Sequence, residues 1–248
     1  MVDVPLLRRS ACVQLVNQRT MGKLVWPAAI ALAQHMLDQD EEDILRFVGT
    51  QSAAFVELGA GAGLASIVAA GSSKCLAQIQ PTPSQSCTLP RNLEKRFRSG
   101  ILATEMTEAG VELISKNINI NNARVRVARY NVIEDCGSIL SSSIPADVDI
   151  LVLCSCDLFY DEDCIRSQVD LFAYLCRARQ AVLDRFIVAR SSNFDYLDDI
   201  LVSSASANGL RIEESIEHIV SGGLLEELAI GPPMDESCAI YVISLALT

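Results

Sequence analysis

One stretch constrains this chain more than any other: AlaPheValGluLeuGlyAlaGlyAlaGlyLeuAlaSerIleValAlaAla, residues 54–70. An apolar run over 53–58 breaks into glycines at Gly59, Gly61 and Gly63, then resumes as a small-residue segment that reads as a helix. A turn from strand to helix this short needs a backbone that bends sharply and lets another molecule approach with no Cβ in the way. The helix that follows begins with N–H groups lacking helical partners, and they aim at whatever fills the turn. A dinucleotide site asks for GxGxxG, but Leu64 stands where the last glycine is needed. Glu57, two residues before Gly59, makes the pattern ExGxGxG. A carboxylate there repels a pyrophosphate and suits a ligand with an ammonium group, such as the methionine end of S-adenosylmethionine. A purely structural turn is the alternative.

From residue 53 onward apolar runs alternate with amphipathic segments, the pattern of a parallel sheet covered by helices. Strands are expected near 53–58, 100–105, 124–130, 148–156, 182–190, 210–218 and 239–247. The fourth is continuously apolar after Asp149, as a strand buried on both faces should be. Thr107 is placed to cap a helix carrying Val111, Ile114 and Ile118 on one face. A second helix after Asp161 carries Ile165, Val169, Phe172, Leu175 and Cys176. Between the last two strands lies only a loop rich in Gly, Glu and Pro (221–237), so they should form a hairpin. The expected fold is α/β and Rossmann-like: a seven-stranded, mostly parallel sheet with a C-terminal antiparallel hairpin, the layout of class I methyltransferases. Residues 1–21 read as an N-terminal extension and 22–248 as one domain. Residues 72–99 interrupt the alternation with three prolines and a basic cluster of Arg91, Lys95, Arg96 and Arg98. They read as an inserted loop without a core element, solvated in preference to a docking surface.

Two further signals sit at strand ends. IleLeuAlaThrGlu, 101–105, ends the second strand on Glu105, where a carboxylate can accept hydrogen bonds from both ribose hydroxyls of a nucleoside. The insertion accounts for its unusual distance from the glycines, and a solvated glutamate is the alternative. CysAspLeuPheTyr, 156–160, follows the fourth strand, and reacting groups of open α/β sheets lie beyond such ends. Asp157 and Tyr160 therefore occupy a chemically useful edge, although Asp157 would also serve as a helix cap.

Bulk properties narrow the partners. The net charge of −11 disfavours nucleic acid, whose binders carry a basic footprint, and favours a cationic partner. No run reaches the roughly 18 apolar residues of a membrane span, and the N-terminus lacks the layout of a signal peptide. Nine cysteines are scattered without a CxxC pair and there are two histidines, so reduced thiols in a cytoplasmic setting, and no metal site, are expected.

Together these motifs resemble methyltransferase family 16, the seven-strand protein-lysine methyltransferases. The similar segments are Val25–Ala29, Glu57–Leu64, Glu105 and Asp157–Tyr160, and the resemblance runs from about Gly22 to the C-terminus apart from the insertion. It implies S-adenosylmethionine as methyl donor and the side-chain amine of a protein lysine as acceptor; a monomer is expected. It further implies that Trp26 packs near the cofactor, with Glu57, Gly59, Gly61, Gly63 and Glu105. Tyr130 stands in ArgTyrAsn (129–131), where the family commonly has tryptophan; with Asn131 and Cys156 it joins the cofactor set. Asp157 is expected to orient the acceptor and the Tyr160 hydroxyl to align its amine. A small-molecule N-methyltransferase and a non-catalytic cofactor-binding module are the rival readings.

Overall fold

A computed structural model describes residues 2–6, 11–15, 25–37, 52–71, 97–180, 183–227 and 234–246. Strands β1 (Val2–Leu6) and β2 (Ala11–Leu15) pair antiparallel as a separate two-stranded sheet. The main sheet holds β3 (Ala53–Leu58), β4 (Gly100–Glu105), β5 (Arg126–Arg129), β6 (Ile150–Cys156), β7 (Arg185–Ser191), β8 (Leu210–Val220) and β9 (Glu236–Leu245). Its order is β5-β4-β3-β6-β7-β9-β8. Neighbours from β5 to β7 run parallel, while β9 lies antiparallel between β7 and β8. The expected seven strands and terminal hairpin are therefore present. From β3 the chain builds outward through β4 to β5, then crosses back to β6 on the other side of β3. The strand order thus reverses between β3 and β6, and their carboxyl ends flank the crevice where ligands of open α/β sheets bind.

Helices α1 (Pro27–Leu37), α2 (Leu64–Ala69) and α3 (Glu108–Asn121) cover one face of the sheet. The other face carries α4 (Gly137–Ser143), α5 (Glu162–Arg179) and α6 (Asp198–Ala207). β3 and β6 are buried at every position, which is why they read as unbroken apolar runs. β5 is shorter than expected because it is the edge strand and shares only four residues of ladder with β4. A short helix, α7 (Gly222–Glu227), stands in the expected 221–237 loop.

Two helix starts follow local side-chain capping. Thr107 accepts the Gly110 N–H at 3.1 Å at the head of α3, and Asp161 accepts the Cys164 N–H at 2.8 Å at the head of α5. All five residues expected on the α5 face are buried. At the far end of α5, Arg179 Nε reaches the Asp184 carboxylate at 3.0 Å, while Asp184 accepts the Leu151 N–H at 2.7 Å. That pair ties the helix to the starts of β6 and β7. Among the described residues no helix is long and apolar enough to cross a membrane.

Of the expected insertion, residues 72–96, with Arg91, Lys95 and Arg96, lie outside the described residues. Residues 97–99 form a turn into β4, with Arg98 exposed. Phe97 is 4% exposed and its ring sits 5.2 Å from that of Phe55 on β3. It belongs to the core, which corrects the expectation that 72–99 holds no core element: a single aromatic leaves no apolar period to detect. Phe97→Ala should destabilise the fold by about 3–5 kcal/mol in urea unfolding, whereas Arg98→Ala should change it by less than about 0.5 kcal/mol. Equal small effects would show that the turn does not contribute to the core.

Candidate donor and acceptor site

Where β3 ends, the chain turns through Gly59, Gly61 and Gly63, with φ of 57°, 54° and 80°. The turn is held by the Ala60 N–H on the Thr104 carbonyl (2.8 Å) and the Gly63 N–H on the Ala60 carbonyl (2.7 Å). At Gly59 a side chain is excluded twice, by the left-handed backbone and by Leu158, whose Cδ1 would lie 2.8 Å from an added Cβ. The glycine turn and the loop after β6 thus press together at one point.

Glu57 lies under this turn, 1% exposed. Its Oε2 accepts the Ser66 N–H at 2.9 Å and the Ser66 hydroxyl at 2.5 Å. Burial pushes its pKa up to about 7; the Ser66 bonds oppose that, and the negative charge of Glu105 adds to it. Glu105, at the end of β4, accepts the Gly61 N–H through Oε2 (3.2 Å) and the Met106 N–H through Oε1 (2.8 Å). Burial raises its pKa as well, against the main-chain bonds. The two acidic strand ends are therefore linked through the glycine loop, one beneath it and one beside it.

Two cavities open on these groups. The larger, about 450 Å³ counting space open to solvent, is lined by Leu58, Gly59, Glu105, Tyr130, Asn131, Val132, Leu158 and Tyr160, with Met106 and Ile133 half exposed. The smaller, about 390 Å³ on the same basis, is lined by Trp26, Glu57, Gly59, Gly61, Leu64, Cys156 and Tyr160. Gly59 and Tyr160 line both. Of the residues expected from the sequence, Trp26, Glu57, Gly59, Gly61, Glu105, Tyr130, Asn131, Cys156 and Tyr160 thus line one continuous region. Gly63 lies behind it, at the head of α2 against Ile114. Tyr130 is buried, its phenol pushed up to about 12 chiefly by desolvation. The loop it opens is tied by the Asn131 N–H on Asp135 Oδ2 at 2.6 Å.

Asp157 lines neither cavity. It is 2% exposed, with φ of 50°, a backbone region in which aspartate is tolerated better than most residues. Its Oδ1 accepts the Ser191 N–H at 2.6 Å and its Oδ2 the Ala28 N–H at 3.2 Å. Helix α1 starts at Pro27, so the Ala28 N–H is one of the donors its first turn leaves unsatisfied. Asp157 thereby caps a helix 129 residues away in sequence rather than the helix that follows it. Desolvation raises its pKa to about 6 against those bonds. Tyr160 is 46% exposed, and burial of its remainder, with Glu105 nearby, raises its phenol.

Three contributors escaped the sequence reading. Ser66 holds Glu57, and its signal was only a hydroxyl among the small residues of α2. Gly110 leaves room for Glu105, since a Cβ there would overlap the Glu105 side chain; an isolated glycine inside a helical pattern was the available sign. Leu158 forms the shared wall and is recognisable only once Gly59 is seen against it.

No curated protein sequence matches this chain. The fold is similar to that of a proposed RNA methyltransferase from Pyrococcus horikoshii, with a TM-score of 0.56 and 10% identity, covering 94% of each chain. A looser likeness is to TYW2 of M. jannaschii in complex with AdoMet, with a TM-score of 0.47 and 12% identity, covering 95% of this chain and 83% of that one. Another is to a TehB-like SAM-dependent methyltransferase from Corynebacterium glutamicum, with a TM-score of 0.47 and 12% identity, covering 84% and 90%. The model of a protein family described as lysine methyltransferase, methyltransferase family 16, matches residues 12–201. That match spans well over half of the chain, and the chain belongs to the family of lysine methyltransferases.

Proposed function

We propose that this methyltransferase transfers the methyl group of S-adenosylmethionine to the side-chain amine of a lysine in a protein. The observation that carries the acceptor is the family match over residues 12–201. The net charge of −11 supports it, since an acidic surface favours a cationic partner over a polyanion.

The residues present fit the donor. Glu57 faces the smaller cavity with a carboxylate suited to an ammonium group, and Glu105 faces the larger one with a carboxylate suited to ribose hydroxyls. Leu158, Val132 and Tyr130 give the larger cavity the apolar wall that a base requires. Bound there, the donor supplies a methyl group on a sulfonium, open to in-line displacement. Trp26 closes the smaller half, and Tyr160 stands between the halves, where an acceptor amine must arrive.

A lysine amine is protonated at neutral pH, with a reference pKa of about 10.4, so the acceptor nitrogen has to lose a proton before it reacts. Entry into an apolar passage lowers that pKa, whereas a neighbouring carboxylate raises it. Asp157 is therefore a poor base, and both of its oxygens are already engaged by main-chain N–H groups. We assign Asp157 to positioning, through the start of α1 next to Trp26 and the loop that carries Tyr160. The Tyr160 hydroxyl oxygen accepts a hydrogen bond from the amine and aligns its lone pair, and the proton leaves to water.

Donor and acceptor roles separate by mutation. Glu105→Ala should weaken binding of S-adenosylhomocysteine about tenfold or more in calorimetry, and Gly61→Arg should abolish it. Tyr160→Phe should leave that affinity within about twofold while lowering turnover about tenfold, or ~1.4 kcal/mol of transition-state stabilisation. A parallel loss of affinity in Tyr160→Phe would place the hydroxyl on the donor. The acceptor is tested by incubating the protein with tritiated S-adenosylmethionine and a whole-cell extract. Label is expected in a protein band that yields methyl-lysine on hydrolysis. Label confined to small molecules or nucleic acid would contradict the protein-lysine reading.

A further inference from the structure

The Glu57 carboxylate is engaged unevenly. Both bonds from Ser66, one from its main-chain N–H and one from its hydroxyl, end on Oε2, at 2.9 and 2.5 Å. Ser66 is wholly buried in α2 and takes no part in lining either cavity, whereas Glu57 lines the smaller one. A main-chain N–H alone would leave the carboxylate free to rotate about its last torsion. Two donors from one residue on one oxygen fix the plane of the group and leave Oε1 as the oxygen for a ligand. We propose that Ser66 is a positioning residue for the donor, presenting one oxygen of an ionised Glu57 to the donor's ammonium group. The proposal rests on the donor reading above and adds to it a residue that touches neither donor nor acceptor.

The same bonds have an electrostatic effect. Among the described residues, the groups that face Glu57 offer it no positive charge: Glu105 comes from β4, and Cys154 and Cys156 from β6. The Cys154 thiol is raised by burial, and the Cys156 thiol by its hydrogen bond with Cys154 and then by burial. Burial and the Glu105 charge favour the neutral acid, and the Ser66 bonds are what oppose them. Hydrogen bonds to the charged form lower a carboxyl pKa, so loss of the hydroxyl moves the Glu57 titration upward. An ammonium ligand needs the ionised form. Its affinity therefore falls as pH drops through the Glu57 pKa, and this fall moves to higher pH when the hydroxyl is removed.

The test is calorimetric binding of S-adenosylhomocysteine to the full chain between pH 5.5 and 7.5, for the parent protein, Ser66→Ala and Glu57→Gln. The parent should bind more weakly toward acid pH. Ser66→Ala should shift that fall upward by about one pH unit, the scale of a lost hydrogen bond to a charged group. Glu57→Gln should flatten it. Ser66→Gly, which also deletes the hydroxyl and keeps the main-chain bond, replaces Ser66→Ala if that variant does not fold. Equal pH profiles for parent and serine variants would overturn the role of Ser66 while leaving the donor reading intact. Absence of binding by the folded parent at every pH would overturn the donor reading and this role with it.

Discussion

The structure depends on carboxylates buried where the sheet's strands end. Glu57 and Asp157 each give up hydration, which burial without hydrogen bonds would make prohibitive. The chain meets that cost mainly with main-chain N–H groups that its own geometry leaves unsatisfied. Ser66 serves Glu57, and Ala28 and Ser191 serve Asp157. The Asp157 bonds join elements distant in sequence, and the Ser66 bond ties β3 to the helix that follows it. The acidic residues thus work as fasteners at the edge onto which both cavities open. The start of α1, the exits of β6 and β7, and the glycine turn after β3 are positioned by these few contacts.

This arrangement explains how one crevice can serve two chemically different halves of a ligand. Glu105 and the apolar wall of Leu158, Val132 and Tyr130 line the larger cavity; Glu57 and Trp26 line the smaller. Gly59 and Tyr160 are common to both, and Gly59 is held at that junction by Leu158. The chemistry proposed for the junction asks for a hydroxyl in the right place and an environment that disfavours a charged amine. In the proposed reaction Tyr160 provides the first, and the apolar side chains of Leu58 and Leu158 beside it provide the second.

Much of this was legible in the residues. The strand boundaries at 53–58 and 100–105 coincide with the observed ones because glycines and a terminal glutamate punctuate them. Thr107 and Asp161 announce their helices because capping is a local interaction. The role of Asp157 was less legible, because it caps α1 across 129 positions and no local pattern distinguishes it from an ordinary cap or a reacting group. Ser66, Gly110 and Phe97 were missed for a related reason. Each matters through one partner in space, Glu57, Glu105 and Phe55 respectively, and one-partner contacts leave no periodicity. The acceptor is the part that neither motif nor packing specifies, since fold and donor site are shared among methyltransferases with different acceptors.

The pH dependence of stability tests the central constraint most directly. Folding raises the Glu57 carboxyl to about 7 and the Asp157 carboxyl to about 6, from ordinary values of 4.5 and 3.8. Between the ordinary and raised values the folded chain holds more protons than the unfolded chain, so these groups make stability fall as pH rises through that window. Urea unfolding at pH 5 and at pH 7.5 should therefore show a larger loss for the parent protein than for Glu57→Gln, which has nothing to ionise. Saturating S-adenosylhomocysteine should add more stability to the parent at pH 7.5 than at pH 5. Equal pH losses in parent and variant would contradict the account, because Glu57 would then ionise as readily in the folded chain as in water.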